Sequence, residues 1–117
     1  MANSWTSMNR NSLLALGLTV LLPAAHAQVN ADAAKALAEK NLCLSCHKLE
    51  GKLVGPAFGE VAKKYQGVAE APAKLLVSIR KGGKGVWGTV PMPPAGKDVT
   101  DEDLKLIVAW ILSLSSR

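Results

Sequence analysis

Aromatic side chains are scarce in this chain, which has one phenylalanine, one tyrosine and three tryptophans in 117 residues. Histidine and cysteine are nearly absent, at two each. No apolar run is long enough to span a bilayer, which takes about 20 residues of helix. The longest uncharged apolar stretch, Leu13 to Leu22 (LLALGLTVLL), has about half that length before Pro23 stops it. An uncleaved membrane anchor is therefore not expected. A positive charge at Arg10 precedes the run, and Pro23 to Ala27 (PAAHA) closes it with Ala-x-Ala. That order is the pattern of a secretory signal peptide, residues 1–27, cleaved after Ala27.

Export would leave Gln28 to Arg117, a single domain of about 90 residues. Its aromatic residues are Phe58, Tyr65, Trp87 and Trp110. A chain of this size with so few large side chains is poorly placed to build a self-sufficient core. Such domains commonly carry a staple, whether disulfide, metal or prosthetic group. Cys43 and Cys46 would make a weak disulfide staple, because the stabilisation from a crosslink grows with the loop it closes. The sequence thus predicts that something other than aromatic side chains fills part of the centre.

The elements read as helices separated by Gly and Pro loops, with no segment that reads as a strand, so the predicted class is all-α. From Asn30 to about Leu42, Asn30 caps, Asp32 sits near the positive helix end, and Ala34, Leu37 and Ala38 share a face. Phe58, Val61, Ala62 and Tyr65 keep helical spacing over one short segment. Pro72 suits a first helical turn, after which Leu75, Leu76 and Ile79 face one way, and Gly82 and Gly83 end the helix. In the last helix Thr100 caps, Asp101 to Asp103 suit the dipole, and Leu104, Ile107, Val108, Ile111 and Leu112 make an apolar stripe. These stripes are read as core.

Between the last two helices lies GGKGVWGTVPMPPAGKDV, Gly82 to Val99, which is long for a loop in a small domain. Loops of this kind are usually functional or disordered. Val86, Trp87, Val90 and Met92 argue against disorder, since a disordered linker would leave them in water. The loop is expected to pack on a surface.

Both cysteines fall in Cys43-Leu44-Ser45-Cys46-His47, the attachment signature of c-type haem. Two thiols about one helical turn apart can add to the two vinyl groups on one porphyrin edge, and the next residue, His47, is then carried to the iron. Two other readings fit these residues less well. A zinc site needs about four ligands, and only Cys43, Cys46 and His47 remain once His26 leaves with the signal peptide. A redox dithiol needs its Cys-x-x-Cys between a strand and a helix, and no such strand is read here. Haem would also account for the missing aromatic bulk.

With His47 on one side of the iron, no second histidine remains for the other. The soft ligand left after cleavage is Met92, in VPMPP, where three prolines stiffen the backbone around it. It is either the second axial ligand or an apolar loop residue of the gap-filling kind.

The run from CLSCHKLEGKLVGPAF through GGKGVWGTVPMPP to LIVAWILSL resembles the small class I cytochromes c of bacteria, and the resemblance covers nearly the whole mature domain. It implies about four helices wrapped around one covalently attached haem c. Cys43 and Cys46 would carry the thioethers, and His47 and Met92 would bind the iron. The carbonyl of Pro56 would accept from the other nitrogen of His47, and Trp87 would donate its indole N–H to a haem propionate or else be a plain core residue. Some relatives carry an asparagine three residues past the methionine, where this chain has Ala95. Relatives can also hold a propionate with an arginine late in the third helix; Arg80 is near that place but not in clear register, and is left out of the site.

Without Arg10 the chain has 13 basic residues (14 less one) and 9 acidic, a net charge of +4. Lys48, Lys52, Lys81, Lys84 and Lys97 flank the two haem-binding segments, either as a ring that steers an acidic partner or as scattered solubilising charges. The resemblance implies a periplasmic monomer, not an enzyme, that carries single electrons. Its donor would be of the bc-complex type, and its acceptor a nitrite reductase, terminal oxidase or cytochrome c peroxidase. Neither nucleic acid nor stable membrane insertion is expected. Two other classes remain open: a haem sensor or peroxidase-like protein with a displaceable sixth ligand, and a haem-free thiol oxidoreductase.

Overall fold

The computed structural model describes residues 29–116; the expected signal peptide and its cleavage point lie outside the described residues. Four α-helices account for the architecture: α1 (Ala31–Lys40), α2 (Phe58–Lys64), α3 (Ala71–Lys81) and α4 (Asp101–Ser113). Single 3₁₀ turns follow α1, at Cys43–Ser45, and α4, at Leu114–Ser116. Among the described residues the one β-type pairing is an isolated antiparallel bridge between Gly83 and Met92. No helix of the described residues is long and apolar enough to cross a membrane.

Helix α4 is the hub, packing against α1, α2 and α3. Its start is held by a complete capping box: the Asp103 amide donates to Thr100 Oγ1 at 3.1 Å and the Thr100 amide donates to Asp103 Oδ2 at 3.4 Å. Leu104, Ile107, Val108 and Ile111 are buried along its length, each contributing about 1.5–3 kcal/mol of burial free energy. Trp110, outside the stripe read from the sequence, is buried as well. On α1 the buried residues are Ala34 and Ala38, whose small side chains suit close approach of two helices. Asn30 caps α1 as expected, its Oδ1 accepting from the Ala33 amide at 3.0 Å.

One expectation needs correction. Helix α1 stops at Lys40 and does not reach Leu42, which has φ of 62° and is 71% exposed. A leucine in the left-handed region is uncommon; here it redirects the chain out of α1 and into the Cys43–Ser45 turn. The Gly82–Val99 loop, expected to pack on a surface, meets a cleft. Val86 and Val90 are more than 60% exposed and Trp87 is 39% exposed, so these side chains are not packed into the helical core. They line a cleft instead.

Candidate haem-binding site

The cysteine segment is built around one carbonyl. Cys43 O accepts from the amides of both Cys46 (3.2 Å) and His47 (3.0 Å), closing a tight turn immediately before His47. The chain then doubles back: Gly55 N donates to Cys46 O at 2.8 Å, Phe58 N to Lys48 O at 2.8 Å and Gly59 N to Leu49 O at 3.0 Å. This clasp brings Pro56 under the imidazole. His47 Nδ1 lies 2.7 Å from Pro56 O. A carbonyl only accepts, so Nδ1 carries the proton and donates, which leaves the lone pair on Nε2. That is the tautomer a metal ligand needs, and the hydrogen bond also raises its basicity.

Two further residues fix the ring. Phe58 stacks on it at 5.0 Å between centroids with 14° between planes, and Phe58 in turn meets Trp110 edge-on at 5.7 Å. The imidazole is thereby coupled to the centre of α4. Gly55 lies so close that a Cβ there would be 2.5 Å from His47 Cε1. Neither contact was legible in the sequence. Phe58 reads as a core position from its helical spacing, and a glycine before proline reads as a turn; the one hint was the GPAF string itself.

Met92 is held from the end of α3. Its amide donates to Gly83 O at 2.7 Å and its carbonyl accepts from Gly83 N at 3.0 Å. Gly82, expected only to terminate the helix, has φ of 69° and lies where a Cβ would be 2.5 Å from Met92 O. Only glycine tolerates both the dihedral and the contact.

Cys46, His47, Pro56, Trp87 and Met92 all line one cleft of about 210 Å³, walled also by apolar residues of α2, α3 and α4 and partly open to solvent. Cys43 is not on its wall; it is half-buried against the core cluster. Burial pushes the Cys43 thiol above its ordinary pKa, with its own backbone hydrogen bond acting the other way and Cys46 adding to the rise. A redox dithiol needs the opposite shift, toward thiolate. Among the described residues no three His, Cys, Asp or Glu side chains gather around a point that would hold a metal ion. Lys84 lines the cleft, and Lys48, Lys52, Lys81 and Lys97 are exposed. Lys64 Nζ sits 5.4 Å from the centroid of the Trp87 ring. Arg80 faces elsewhere, donating to Gly96 O, Val99 O and Asp101.

The cleft suits a flat apolar group that brings its own metal. Its walls are mostly hydrophobic, an imidazole with a free Nε2 and a thioether lie on the same cavity, and one thiol is at its edge. Comparison with known proteins points the same way. The cytochrome c family model matches residues 31–115. Cytochrome c-552 of Nitrosomonas europaea is 45% identical over 96 residues, covering 82% of this chain and 88% of that protein. Cytochrome c-552 of Hydrogenobacter thermophilus is 51% identical over 78 residues, covering 67% and 78%. The crystal structure of the wild-type Nitrosomonas europaea cytochrome c552 superposes with a TM-score of 0.65 at 44% identity, covering 69% of this chain and 99% of that one. The class 1 cytochrome MtoD of Sideroxydans lithotrophicus gives 0.64 at 37% identity, covering 74% and 98%. The chain belongs to the cytochrome c family, small electron carriers that hold haem c covalently and are not enzymes.

Proposed function

We propose that this protein is a periplasmic monohaem carrier that moves single electrons between larger respiratory redox proteins, with Cys43 and Cys46 as the thioether anchors and His47 and Met92 as the axial ligands. The observation that carries the reading is the pairing, on one apolar cleft, of the Met92 thioether with a His47 imidazole whose Nδ1 is committed to Pro56 O at 2.7 Å. Bound haem supplies one-electron exchange between ferric and ferrous iron. The chain's part is to hold that exchange to a single geometry. His47 presents Nε2 from a ring fixed by Pro56, Phe58 and Gly55. Met92 presents sulfur from a backbone tied to Gly83. A thioether and an imidazole together on the iron would favour the ferrous state and would leave no open position for a substrate, which sets a carrier apart from a sensor or peroxidase.

Trp87 lines the cleft with its ring beside Lys64, and its indole N–H is the proposed donor to a propionate. Lys84 on the cleft, the exposed Lys48, Lys52, Lys81 and Lys97, and a net charge of +4 after export suit an acidic docking face on the partner. Donors of the bc-complex type, and nitrite reductase, terminal oxidase or peroxidase acceptors, belong to this proposal. The raised Cys43 thiol pKa counts against the haem-free dithiol reading.

The test is the visible spectrum of exported holoprotein. Sulfur on ferric haem gives a weak charge-transfer band at the red edge of the visible. The band is expected in wild type and absent in Met92→Ala, whose reduction potential falls and which gains ready binding of carbon monoxide and cyanide. A wild-type protein that binds carbon monoxide quickly at neutral pH would overturn the carrier reading.

A further inference from the structure

The four residues after Met92 are Pro93, Pro94, Ala95 and Gly96; none has a polar side-chain atom, and the two prolines have no amide to donate. The segment cannot steady the Met92 thioether with side chains of its own. Its position comes from the last turn of α3, which grips it on both sides. On the near side are the paired Gly83–Met92 hydrogen bonds and the close approach of Gly82. On the far side the Ala95 amide donates to Ile79 O at 2.9 Å. Arg80, the next residue along α3, extends this far-side grip. Its Nη1 donates to Gly96 O at 3.3 Å, its Nη2 to Val99 O at 2.9 Å and its Nε to Asp101 Oδ1 at 3.0 Å. Val99 is buried and Asp101 is the first residue of α4. One planar fork thus joins the end of α3, the far limb of the Met92 segment and the start of α4.

We propose that Arg80 is a positioning residue for Met92, acting on the iron ligand through the backbone of residues 96–99 without touching the cleft. The inference rests on the reading that Met92 binds iron. The Arg80–Asp101 ion pair is partly exposed and by itself contributes little. The two carbonyl bonds matter more, because they are charge-assisted and made by a rigid fork that reaches several acceptors at once. Without them the far limb keeps the Ala95–Ile79 bond as its tie to α3, and the sulfur leaves the iron more often.

Cyanide entry into ferric holoprotein reads that event, since the anion binds only when the sulfur has left. Arg80→Ala is expected to raise the entry rate about tenfold, the factor that about 1.4 kcal/mol of lost anchoring produces. It should also make the charge-transfer band fade at a lower temperature relative to the far-ultraviolet helix signal. Arg80→Lys should fall between wild type and alanine, because an ammonium cannot reproduce the fork. Asp101→Asn should shift the rate in the same direction by less. Lys105→Ala, which removes a comparable surface bond to Glu102 (3.1 Å) away from the loop, should bind cyanide at the wild-type rate. A wild-type cyanide rate in Arg80→Ala, with the band surviving to the global melt, overturns the inference. If Arg80→Ala does not fold, wild-type rates in both Arg80→Lys and Asp101→Asn overturn it. A wild-type protein lacking the band removes Met92 ligation and this inference together, whereas an intact band with unresponsive variants removes this inference alone.

Discussion

Replacing Gly55 with alanine places a methyl carbon 2.5 Å from His47 Cε1, 2.9 Å from Nδ1 and 3.1 Å from Nε2. Ordinary contact begins near 3.4 Å, so the closest approach is short by 0.9 Å (3.4 less 2.5). The open side of the imidazole is the cleft, and a move toward it pulls the ring off the contacts that hold it. Phe58 stacks on it at 5.0 Å and Pro56 O holds Nδ1 at 2.7 Å, and a shift of this size disturbs one or both. Overpacking of this kind costs about 1–3 kcal/mol, and weakening the hydrogen bond costs about 1 kcal/mol more. A total of about 2–4 kcal/mol lowers the midpoint of a domain this small by about 8 °C at the least. The same change moves the potential. A ring that loses its Nδ1–H donation is less basic and stabilises ferric iron less, so the potential rises. The expected rise is about 20–60 mV, because a tenfold shift in a one-electron couple is 59 mV and the bond itself is worth about 0.5–1.5 kcal/mol. Thermal melts and redox titration of the holoprotein check both effects. Lys105→Ala is the control: among the described residues its exposed side chain bonds only Glu102 (3.1 Å), and both readouts should stay close to wild type. Wild-type melting and potential in Gly55→Ala would refute the argument that the ring is clamped.

Three other outcomes follow from the same contacts. Wild-type holoprotein should weigh one haem more than its polypeptide, and Cys43→Ala with Cys46→Ala should yield a largely unfolded domain by circular dichroism; a haem-free chain melting cooperatively near the holoprotein's midpoint would contradict this. Gly82→Ala combines a φ of 69° with a contact of 2.5 Å to Met92 O, so it should cost at least about 1–3 kcal/mol and weaken the charge-transfer band before the helices melt. Thr100→Ala breaks the capping box at the start of α4 and should cost about 1 kcal/mol in chemical denaturation, leaving the band unchanged at room temperature.

The helices were legible because their signals are local. Thr100 and Asn30 announce α4 and α1, and the stripe from Leu104 to Ile111 follows a period that any helix buries. The attachment motif was legible for a similar reason: its chemistry depends on spacing within five residues. The supports of the site were not. Phe58 touches His47 only because the chain doubles back between Cys46 and Gly59, and Arg80 reaches Gly96 and Asp101 only once α3 and α4 are packed. Leu42 takes the left-handed position just past the end of α1, its amide donating to Glu39 O at 3.0 Å, a place usually marked by glycine, so leucine there gives no cue. That Val86 and Val90 face a cleft and not the core was beyond a count of apolar residues, which says that a loop packs but not on what.

The two proposed ligands are supported in different ways. His47 is held by the Pro56 carbonyl and by side chains of the core: Phe58 stacks on its ring and rests edge-on against Trp110, one of the buried residues of α4. Its support belongs to the most buried part of the molecule and gives way only with the core. Met92 is held by backbone hydrogen bonds between an exposed loop and one helix end, with Arg80 spanning the far limb. Its support draws on few buried apolar contacts, the condition under which local opening is cheap relative to global unfolding. The asymmetry places the adjustable side of the site at methionine. On the proposed ligation, a residue change at the end of α3, such as Arg80 or Gly82, would alter how tightly sulfur is kept without touching the core. A change at Gly55 or Phe58 cannot alter imidazole without straining it.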